Sequence, residues 1–260
     1  MKYSVNIPSV NLEYTVSPSK SVVHRELIIG FLLQSLTETP DKAIIKEIIE
    51  PLPTDNDDIR ATRACLKALY ESCDISAATT NDTNNDTLNA IYMNCNESGS
   101  TLRFMISVGI AYINFKGLSQ KKRLVFLPKG KLIDRPLDQL VECLSERGVS
   151  IKTDKTKGTI TVQGTLTKGC FTIQGNVSSQ YISGLLMALT VLPGSSVKLV
   201  GALESKGYFD LTIGALKNHG ITVRQDEIFF TVKTTTAEKS CINNNLRVSE
   251  GDWSSAAFLL

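Results

Sequence analysis

A repeat of about 75 residues constrains the fold of this chain more than any other feature of its sequence. A turn rich in serine or glycine precedes an apolar, helix-like stretch near residues 19, 98, 178 and 253. Helical segments that end at Cys73, Gly148 and Gly220 alternate with these elements, at intervals of 75 and 72 residues. Because this period exceeds the roughly 20–50 residues of solenoid repeats, each unit can form a small α/β module of its own. Three modules that share one core are therefore predicted, with a fourth cut off.

The hydrophobic pattern distinguishes the predicted strands from the predicted helices. Apolar and polar residues alternate in three short segments, which predicts strands with one solvent-exposed face. These segments are 159–162, 170–173 and 196–200. Residues 104–108 and 185–189 are almost continuously apolar, which is typical of helices that are buried on most sides. We therefore expect helices inside and sheets outside.

Glycine marks the ends of two predicted helices. Gly148 and Gly220 each follow an amphipathic stretch, and glycine at that place predicts a left-handed helix cap. Cys73 has the corresponding position in the first unit. The strand-like segments that follow these three positions are 149–151, 221–223 and 74–75.

Composition excludes several classes of protein. A net charge of +2 over 260 residues gives no reason to expect a nucleic-acid or membrane partner. Six cysteines without a Cys-x-x-Cys pair predict buried thiols in a reducing compartment rather than a zinc site or a disulfide framework. Residues 1–14 lack the features of a signal peptide, and no apolar run approaches the ~20 residues needed to span a bilayer. We therefore expect a soluble, cytoplasmic protein.

The two ends of the sequence indicate a larger protein. Residues 254–260 begin a helix-like stretch and stop within its apolar part, whereas helices usually close with Gly, Asn or a basic residue. Residues 2–5 are predicted to form a strand that would pair with the missing part. The interpretation is a chain cut within a second domain.

The candidate chemistry lies where the predicted helices begin. A helix N-terminus offers unpaired N–H groups and partial positive charge, which suit a phosphate or a carboxylate. Lys20 and Arg25 add two cations at the first of these helices. Taken singly, however, these bases fit a solvated surface helix, and serine at a helix start fits ordinary capping. The helix starts alone leave both interpretations open.

Six motifs follow one another along the chain. They are Ser19-Lys20-Ser21 with Arg25, Ser98-Gly99 with Arg103, Arg135-Pro136, Val177-Ser178-Ser179-Gln180, Ser205-Lys206 with Tyr208 and Asp210, and Glu250-Gly251-Asp252. Together they make nearly the whole sequence resemble the 5-enolpyruvylshikimate-3-phosphate (EPSP) synthase family. The resemblance implies transfer of the enolpyruvyl group of phosphoenolpyruvate to the 5-hydroxyl of shikimate 3-phosphate, with release of phosphate, in aromatic amino-acid biosynthesis. It implies these two small-molecule partners and no metal or organic cofactor.

The resemblance also implies an architecture, the enolpyruvyl transferase fold of the α/β (α+β) class. Each of its two domains is an inside-out α/β barrel of three repeated βαβαββ modules with buried helices. Residues 18–248 would form the shikimate-3-phosphate-binding domain of three repeats. Residues 1–17 would supply a strand to the second domain, and residues 249–260 would begin that domain. We therefore expect a monomeric full-length protein, and a chain that alone binds shikimate 3-phosphate weakly and does not turn over.

The family pattern assigns roles to individual residues. Lys20 is expected to touch both substrates and to be catalytic, while further catalytic residues are expected in the missing domain. The residues expected to bind shikimate 3-phosphate are Lys20, Ser21, Arg25, Ser178, Ser179, Gln180, Ser205 and Tyr208. Of these, Ser178, Ser179 and Ser205 are expected to hold its phosphate group. The residues expected to bind phosphoenolpyruvate are Lys20, Gly99, Arg135 and Gln180.

Some positions depart from the family pattern. The family commonly has Pro-Gly-Ser-Lys where this chain has Ser-Pro-Ser-Lys at 17–20, and often has Asn where His24 and Glu97 stand. Glu97 would place a negative charge beside an anion pocket unless it pairs with a base such as Arg103.

Three competing functions can be weighed against this resemblance. A sister family that uses UDP-N-acetylglucosamine carries a reactive Cys where this chain has Gly130, which argues against that activity. A non-catalytic phosphate-binding module of the same fold stays open, since the missing half would decide it. An RNA-processing enzyme of related repeat fold is disfavoured by the near-neutral charge.

Overall fold

The computed structural model describes residues 19–73 and 90–234. Over its described part, the first unit consists of three helices. They are α1 (Lys20–Leu36), α2 (Lys42–Ile49) and α3 (Asp57–Cys73). The strand-like segments 2–5 and 74–75, and the segments 1–17 and 249–260 that were assigned to a second domain, lie outside the described residues.

The second unit is a complete βαβαββ module. Its elements are β1 (Ala90–Asn96), α4 (Gly99–Phe115), β2 (Arg123–Pro128), a short 3-10 helix (Gly130–Asp134), α5 (Asp138–Ser145), β3 (Val149–Asp154) and β4 (Thr159–Gly164). The strands form one sheet in the order β1-β2-β4-β3. Strand β2 is parallel to β1 and antiparallel to β4, which also pairs with β3 as a hairpin. Helix α4 therefore makes the crossover that two parallel neighbours require.

The third unit repeats this arrangement. Its elements are β5 (Cys170–Gln174), α6 (Ser179–Ala188), a 3-10 turn (Leu189–Val191), β6 (Ser196–Val200), α7 (Lys206–Asn218), β7 (Ile221–Asp226) and β8 (Phe229–Thr234). Its sheet has the order β5-β6-β8-β7, again with one parallel pair and two antiparallel pairs. The identical topology of the two units confirms the repeat of α/β modules that the sequence predicts.

The helices occupy the interior and the sheets cover them. Twelve of the 17 residues of α1 are buried, as are 12 of 17 in α4 and nine of ten in α6. Strand β1 instead alternates, with Ile91 and Met93 buried and Tyr92 between them 51% exposed. This pattern confirms the predicted sheets with one wet face around buried helices.

The central helices α1 and α4 run in the same direction. Near their starts, the rings of His24 and Phe104 lie 6.1 Å apart, centroid to centroid. Nearer their ends, the rings of Phe31 and Tyr112 lie 5.0 Å apart. Because residues near the N-termini of α1 and α4 contact each other, and so do residues near their C-termini, both N-terminal ends lie at the same end of the core.

The two helix-terminating glycines have the predicted left-handed backbone. Gly148 has φ +87° and Gly220 has φ +73°, conformations that a residue with a Cβ rarely adopts. At Gly148 a Cβ would also lie 2.6 Å from the backbone oxygen of Thr165, too close for any side chain. Both glycines end a helix and begin a strand, as the sequence predicts.

The cysteines of the described residues are free thiols, and four of the five are buried. Burial raises the pKa of Cys73 to about 11 and the pKa of Cys95 and Cys143 to about 12. These thiols are therefore protonated and unreactive at neutral pH. Cys241 lies outside the described residues. No helix in the described ranges is long and apolar enough to cross a bilayer.

Candidate functional site

The N-terminal ends of five helices meet at one end of the core. Lys20 at the start of α1 pairs with Asp58 at the start of α3, Nζ to Oδ2, at 2.9 Å. The side chain of Gln180, at the start of α6, accepts a hydrogen bond from Arg103 Nη1 of α4 at 2.7 Å. It also donates to the hydroxyl of Ser100, in the first turn of α4, at 2.8 Å. Helix α7 joins this group through Tyr208, whose carbonyl accepts from α1. The unpaired amides and partial positive charges of several helices therefore face one region, which suits anions.

Serine caps begin two of these helices. The hydroxyl of Ser98 accepts from the amide of Thr101 at 3.2 Å, and the hydroxyl of Ser178 accepts from the amide of Gln180 at 3.3 Å. The capping interpretation of Ser178 is therefore correct in this structure, and it keeps the hydroxyl at the helix start. Ser179 follows as a buried first residue of α6.

Helix α7 begins without a side-chain cap. Ser205 occupies the N-cap position, but its hydroxyl makes no capping hydrogen bond, and the residue is exposed. Tyr208, in the first turn of α7, is half exposed at 53%. Lys20 is similarly accessible, with 52% of its side chain exposed. These three side chains are accessible, whereas Ser21 is half-buried.

Arg25 is the exception, because it is only 2% exposed. Its guanidinium donates from Nε to Thr212 Oγ1 at 2.7 Å and from Nη2 to Ser183 Oγ at 3.2 Å. It also donates to the carbonyls of Tyr208, at 3.1 Å, and of Ser21. These contacts occupy four of the five N–H donors of a guanidinium. Burial lowers the pKa of Arg25 to about 10, so the side chain stays charged at neutral pH. Arg25 thus joins α1 to α6 and α7, a role that the sequence did not predict.

Gly99 and Arg135 lie on the second module. Gly99 is the first residue of α4, and a Cβ there would lie 3.0 Å from Arg103 Nη1. Arg135 is exposed and directly follows the 3-10 helix after β2. The next residue, Pro136, accepts from Tyr181 Oη of α6 at 2.5 Å, which brings this segment to the start of α6. The structure therefore brings the predicted residues of all three units to the same end of the core.

Glu97 has a different neighbour from the one suggested by the sequence. Its carboxylate lies over Gly130, where a Cβ would be 2.8 Å from Glu97 Oε1. Arg103, its suggested partner, instead donates to Gln180 and lies 5.8 Å from the centre of the Tyr181 ring. Gly130 has φ +57°, so both its backbone and its surroundings favour glycine.

Sequence reasoning did not identify Asp58, Thr62 or Thr101 as part of this region. Partial burial acts to raise the pKa of Asp58, but the hydrogen bond and charge of Lys20 and a hydrogen bond from Ser98 outweigh it and lower the pKa. A signal was present, since two aspartates open α3 and acidic residues favour a helix start. Within the described ranges, no cluster of His, Cys, Asp and Glu could hold a metal ion.

Comparison with known proteins identifies the relatives of this chain. Residues 6–260 match the family model described as EPSP synthase (3-phosphoshikimate 1-carboxyvinyltransferase). The 3-phosphoshikimate 1-carboxyvinyltransferases of Clostridium novyi and Clostridium kluyveri are 34% and 32% identical to it, over 98% and 100% of this chain. The chain spans about half the length of these relatives, 56% and 57%.

A solved structure supports the fold. EPSP synthase from Acinetobacter baumannii superimposes with a TM-score of 0.51 at 20% sequence identity. The match covers 84% of this chain and 45% of that protein.

Proposed function

Because this chain belongs to the EPSP synthase family, we propose that its protein transfers the enolpyruvyl group of phosphoenolpyruvate to the 5-hydroxyl of shikimate 3-phosphate. One observation carries the proposal. The N-terminal ends of α1, α4, α6 and α7 converge, and they bring Lys20, Gly99 and Gln180 to one region. Both substrates are anions, and converging helix starts with an adjacent lysine provide directed N–H donors and positive charge.

The accessible groups suggest how the substrates divide this region. Ser178, Ser179 and Ser205 lie at the starts of α6 and α7, where a phosphate can also accept backbone N–H groups. Tyr208 offers a half-exposed ring to the shikimate moiety. Gly99 has no side chain of its own at the start of α4, and the position where its Cβ would stand lies 3.0 Å from Arg103 Nη1. Lys20 is the group proposed to touch both substrates and to be catalytic.

Arg25 and Ser21 require a more specific proposal. Four of the Arg25 donors already serve protein oxygens, so one N–H remains for a substrate. We propose that Arg25 acts on shikimate chiefly through charge and by holding Ser21 and Tyr208 in place. Arg135 and Gln180 remain the proposed contacts to phosphoenolpyruvate.

The rest of the active site is proposed to lie in the other half of the full-length protein. Residues 18–248 would form the shikimate-3-phosphate domain, and closure of a second domain would exclude water from the substrates. Since the chain spans about half of its relatives, we expect no turnover by the chain alone. Product formation by this chain would show that its own residues suffice. We also propose a cytoplasmic, monomeric full-length protein, whose oligomeric state size-exclusion chromatography tests.

A thermal-shift titration of this chain with shikimate 3-phosphate tests the proposal. A ligand at about 100 times its Kd stabilises by about 2.7 kcal/mol, so a clear rise in Tm is expected. UDP-N-acetylglucosamine and inorganic phosphate are the ligand controls, and neither should reproduce the rise. A response to phosphate alone would favour the non-catalytic phosphate-binding module, and a response to the nucleotide sugar would favour the sister activity.

Matched variants locate the binding. Lys20→Ala and Ser179→Ala should abolish the shift with shikimate 3-phosphate. Lys67→Ala is the control for the lysine. Lys67 Nζ also lies 2.9 Å from a carboxylate oxygen, that of Glu50, but this ion pair is not at the converging helix starts. Ser195→Ala is the control for the serine, because Ser195 is also buried but lies before β6. Equal loss in variant and control would reject the proposed site.

A further inference from the structure

A buried series of side-chain hydrogen bonds begins at His24. His24 is 1% exposed, and its Nδ1 lies 2.7 Å from Thr62 Oγ1 of α3. Thr62 Oγ1 lies 2.8 Å from Thr101 Oγ1 of α4, and both threonines are fully buried. These contacts join α1, α3 and α4 one turn below their N-terminal ends.

The series continues to the surface at Asp58. Thr101 Oγ1 donates to Ser98 Oγ at 2.8 Å and lies 3.2 Å from the carbonyl oxygen of Asp58. The side chain of Ser98 lies near the carboxylate of Asp58 and helps to lower its pKa, and this carboxylate pairs with Lys20 Nζ at 2.9 Å. We name these residues the His24 network. Its members are His24, Thr62, Thr101, Ser98 and Asp58.

The Asp58 end fixes the direction of the hydrogen bonds that lead to His24. The carbonyl oxygen of Asp58 only accepts, and Thr101 Oγ1 donates toward it at 3.2 Å and toward Ser98 Oγ at 2.8 Å. The single hydroxyl proton of Thr101 is thereby used. Thr101 must in turn accept from Thr62, and Thr62 from His24. His24 therefore carries its proton on Nδ1, and its buried Nε2, which has no hydrogen-bond partner among the described residues, is the bare nitrogen.

We propose that the His24 network is a one-way series of donors that holds the Asp58 carboxylate in place, and that Asp58 is a positioning residue for Lys20. The hydrogen-bond geometry stands by itself, whereas the link to catalysis rests on the proposed function of Lys20. A lysine side chain loses rotamer entropy when it is fixed, so a carboxylate that is already held lowers the cost of orienting it.

A second ion pair on α3 shows what the network adds. Lys67 and Glu50 also lie 2.9 Å apart, but both side chains are about two-fifths exposed, at 39% and 42%. An ion pair of that kind contributes little and exchanges freely with water. The Asp58 side chain is less exposed, at 29%, and lies beside the capping Ser98, whereas Lys20 itself is 52% exposed. The carboxylate that pairs with Lys20 is therefore more confined than the one that pairs with Lys67.

Nuclear magnetic resonance of the 260-residue chain tests the direction of the network. The chain has two histidines, so a His219→Gln variant assigns the spectrum of ¹⁵N-labelled imidazoles. Two-bond ¹H–¹⁵N correlations should show neutral His24 with its proton on Nδ1. In Thr62→Val, which removes only the hydroxyl, the population should shift toward the Nε2–H form. A proton on Nε2 in the unaltered chain would overturn the proposal without any variant being required.

Competitive acylation followed by mass spectrometry tests the effect on Lys20. Thr62→Val and Asp58→Asn should each raise the Lys20-to-Lys67 labelling ratio about threefold, as when an ion pair of surface strength is loosened. Thr190→Val is the control, because Thr190 is equally buried but donates only to the carbonyl of Met187 at 2.8 Å. The double variant should equal Asp58→Asn alone, since both changes act on one contact.

An unchanged ratio in Thr62→Val, or additive effects in the double variant, would overturn the positioning role. These readouts need no substrate. A chain that passes them but shows no shift with shikimate 3-phosphate would therefore reject the proposed function and keep the network.

Discussion

His24 and Arg25 are adjacent in α1, yet they connect this helix to different parts of the molecule. His24 faces α3 and α4 and works through neutral hydroxyls that end at an accessible Asp58–Lys20 pair. Arg25 faces α6 and α7 and places a full charge among the oxygens of Ser183, Thr212 and Tyr208. The comparison shows two solutions for a buried polar group. His24 is connected by a series of hydrogen bonds to a charged pair at the surface, whereas the charge of Arg25 is surrounded by oxygens that accept from it.

The largest difference is expected from Arg25→Ala. This change removes a large buried side chain that lies 5.1 Å from the centre of the Phe104 ring, and it takes a charged donor from the oxygens of Thr212, Ser183 and Tyr208. We expect the free energy of unfolding to fall by about 4 kcal/mol, measured by urea denaturation. Arg135→Ala, at an exposed arginine, is the control and should change it by less than about 0.5 kcal/mol. Equal effects of the two variants would show that Arg25 is not structural.

The next effect is a pH dependence that comes from the His24 side. Burial lowers the pKa of His24 to about 4 from its ordinary 6.5, with Asp58 opposing the change and Arg25 and Lys20 adding to it. Between pH 6.5 and pH 4, His24 is therefore protonated in the unfolded chain but neutral in the folded chain. Stability from this group is therefore complete above pH 6.5 and is lost as the pH falls toward 4, by about 3 kcal/mol.

A series of urea denaturations between pH 7 and pH 4 checks this slope. His24→Asn, which cannot titrate, should remove most of it, and the difference between variant and parent cancels the titrating groups that do not interact with His24. The pKa of Asp58 is lowered as well, so its own contribution is lost at still lower pH. Identical slopes in variant and parent would contradict a buried neutral histidine.

The smallest effects come from removing single hydroxyls on the two sides. Thr212→Val takes an acceptor from the Arg25 guanidinium at 2.7 Å and should cost about 2 kcal/mol, because a charged donor is left unsatisfied. Thr62→Val interrupts only neutral hydrogen bonds and should cost about 1 kcal/mol. Chemical denaturation at pH 7 measures both. The reverse order would indicate that the charge of Arg25 is satisfied without Thr212.

Much of the fold could be predicted from the sequence, because local patterns determine it. The alternation in 159–162 and 170–173 predicted β4 and β5, and Gly148 and Gly220 predicted two helix ends. Helix α2 was missed, since it has no counterpart in the other two modules, on whose repeat the prediction relied.

The site was predicted less completely, for a physical reason. Helix starts such as those at Gly99 and Ser179 have a sequence signature, so their residues could be identified. The burial of Arg25 could not, because arginine is mostly exposed and its partners on α6 and α7 lie 158 to 187 residues away. The contact between Thr62 and Thr101 likewise depends on how two distant helices pack.

The common direction of the central helices has a consequence for how ligands approach. Each helix carries a dipole, and dipoles that point the same way add instead of cancelling. The core therefore sustains an electric field with a positive end at the helix starts and a negative end at the opposite side. A net charge of +2 attracts anions only weakly, but this field distinguishes the two ends of the molecule. An anion that reaches the end where the helices begin therefore meets the partial positive charge of several helices at once.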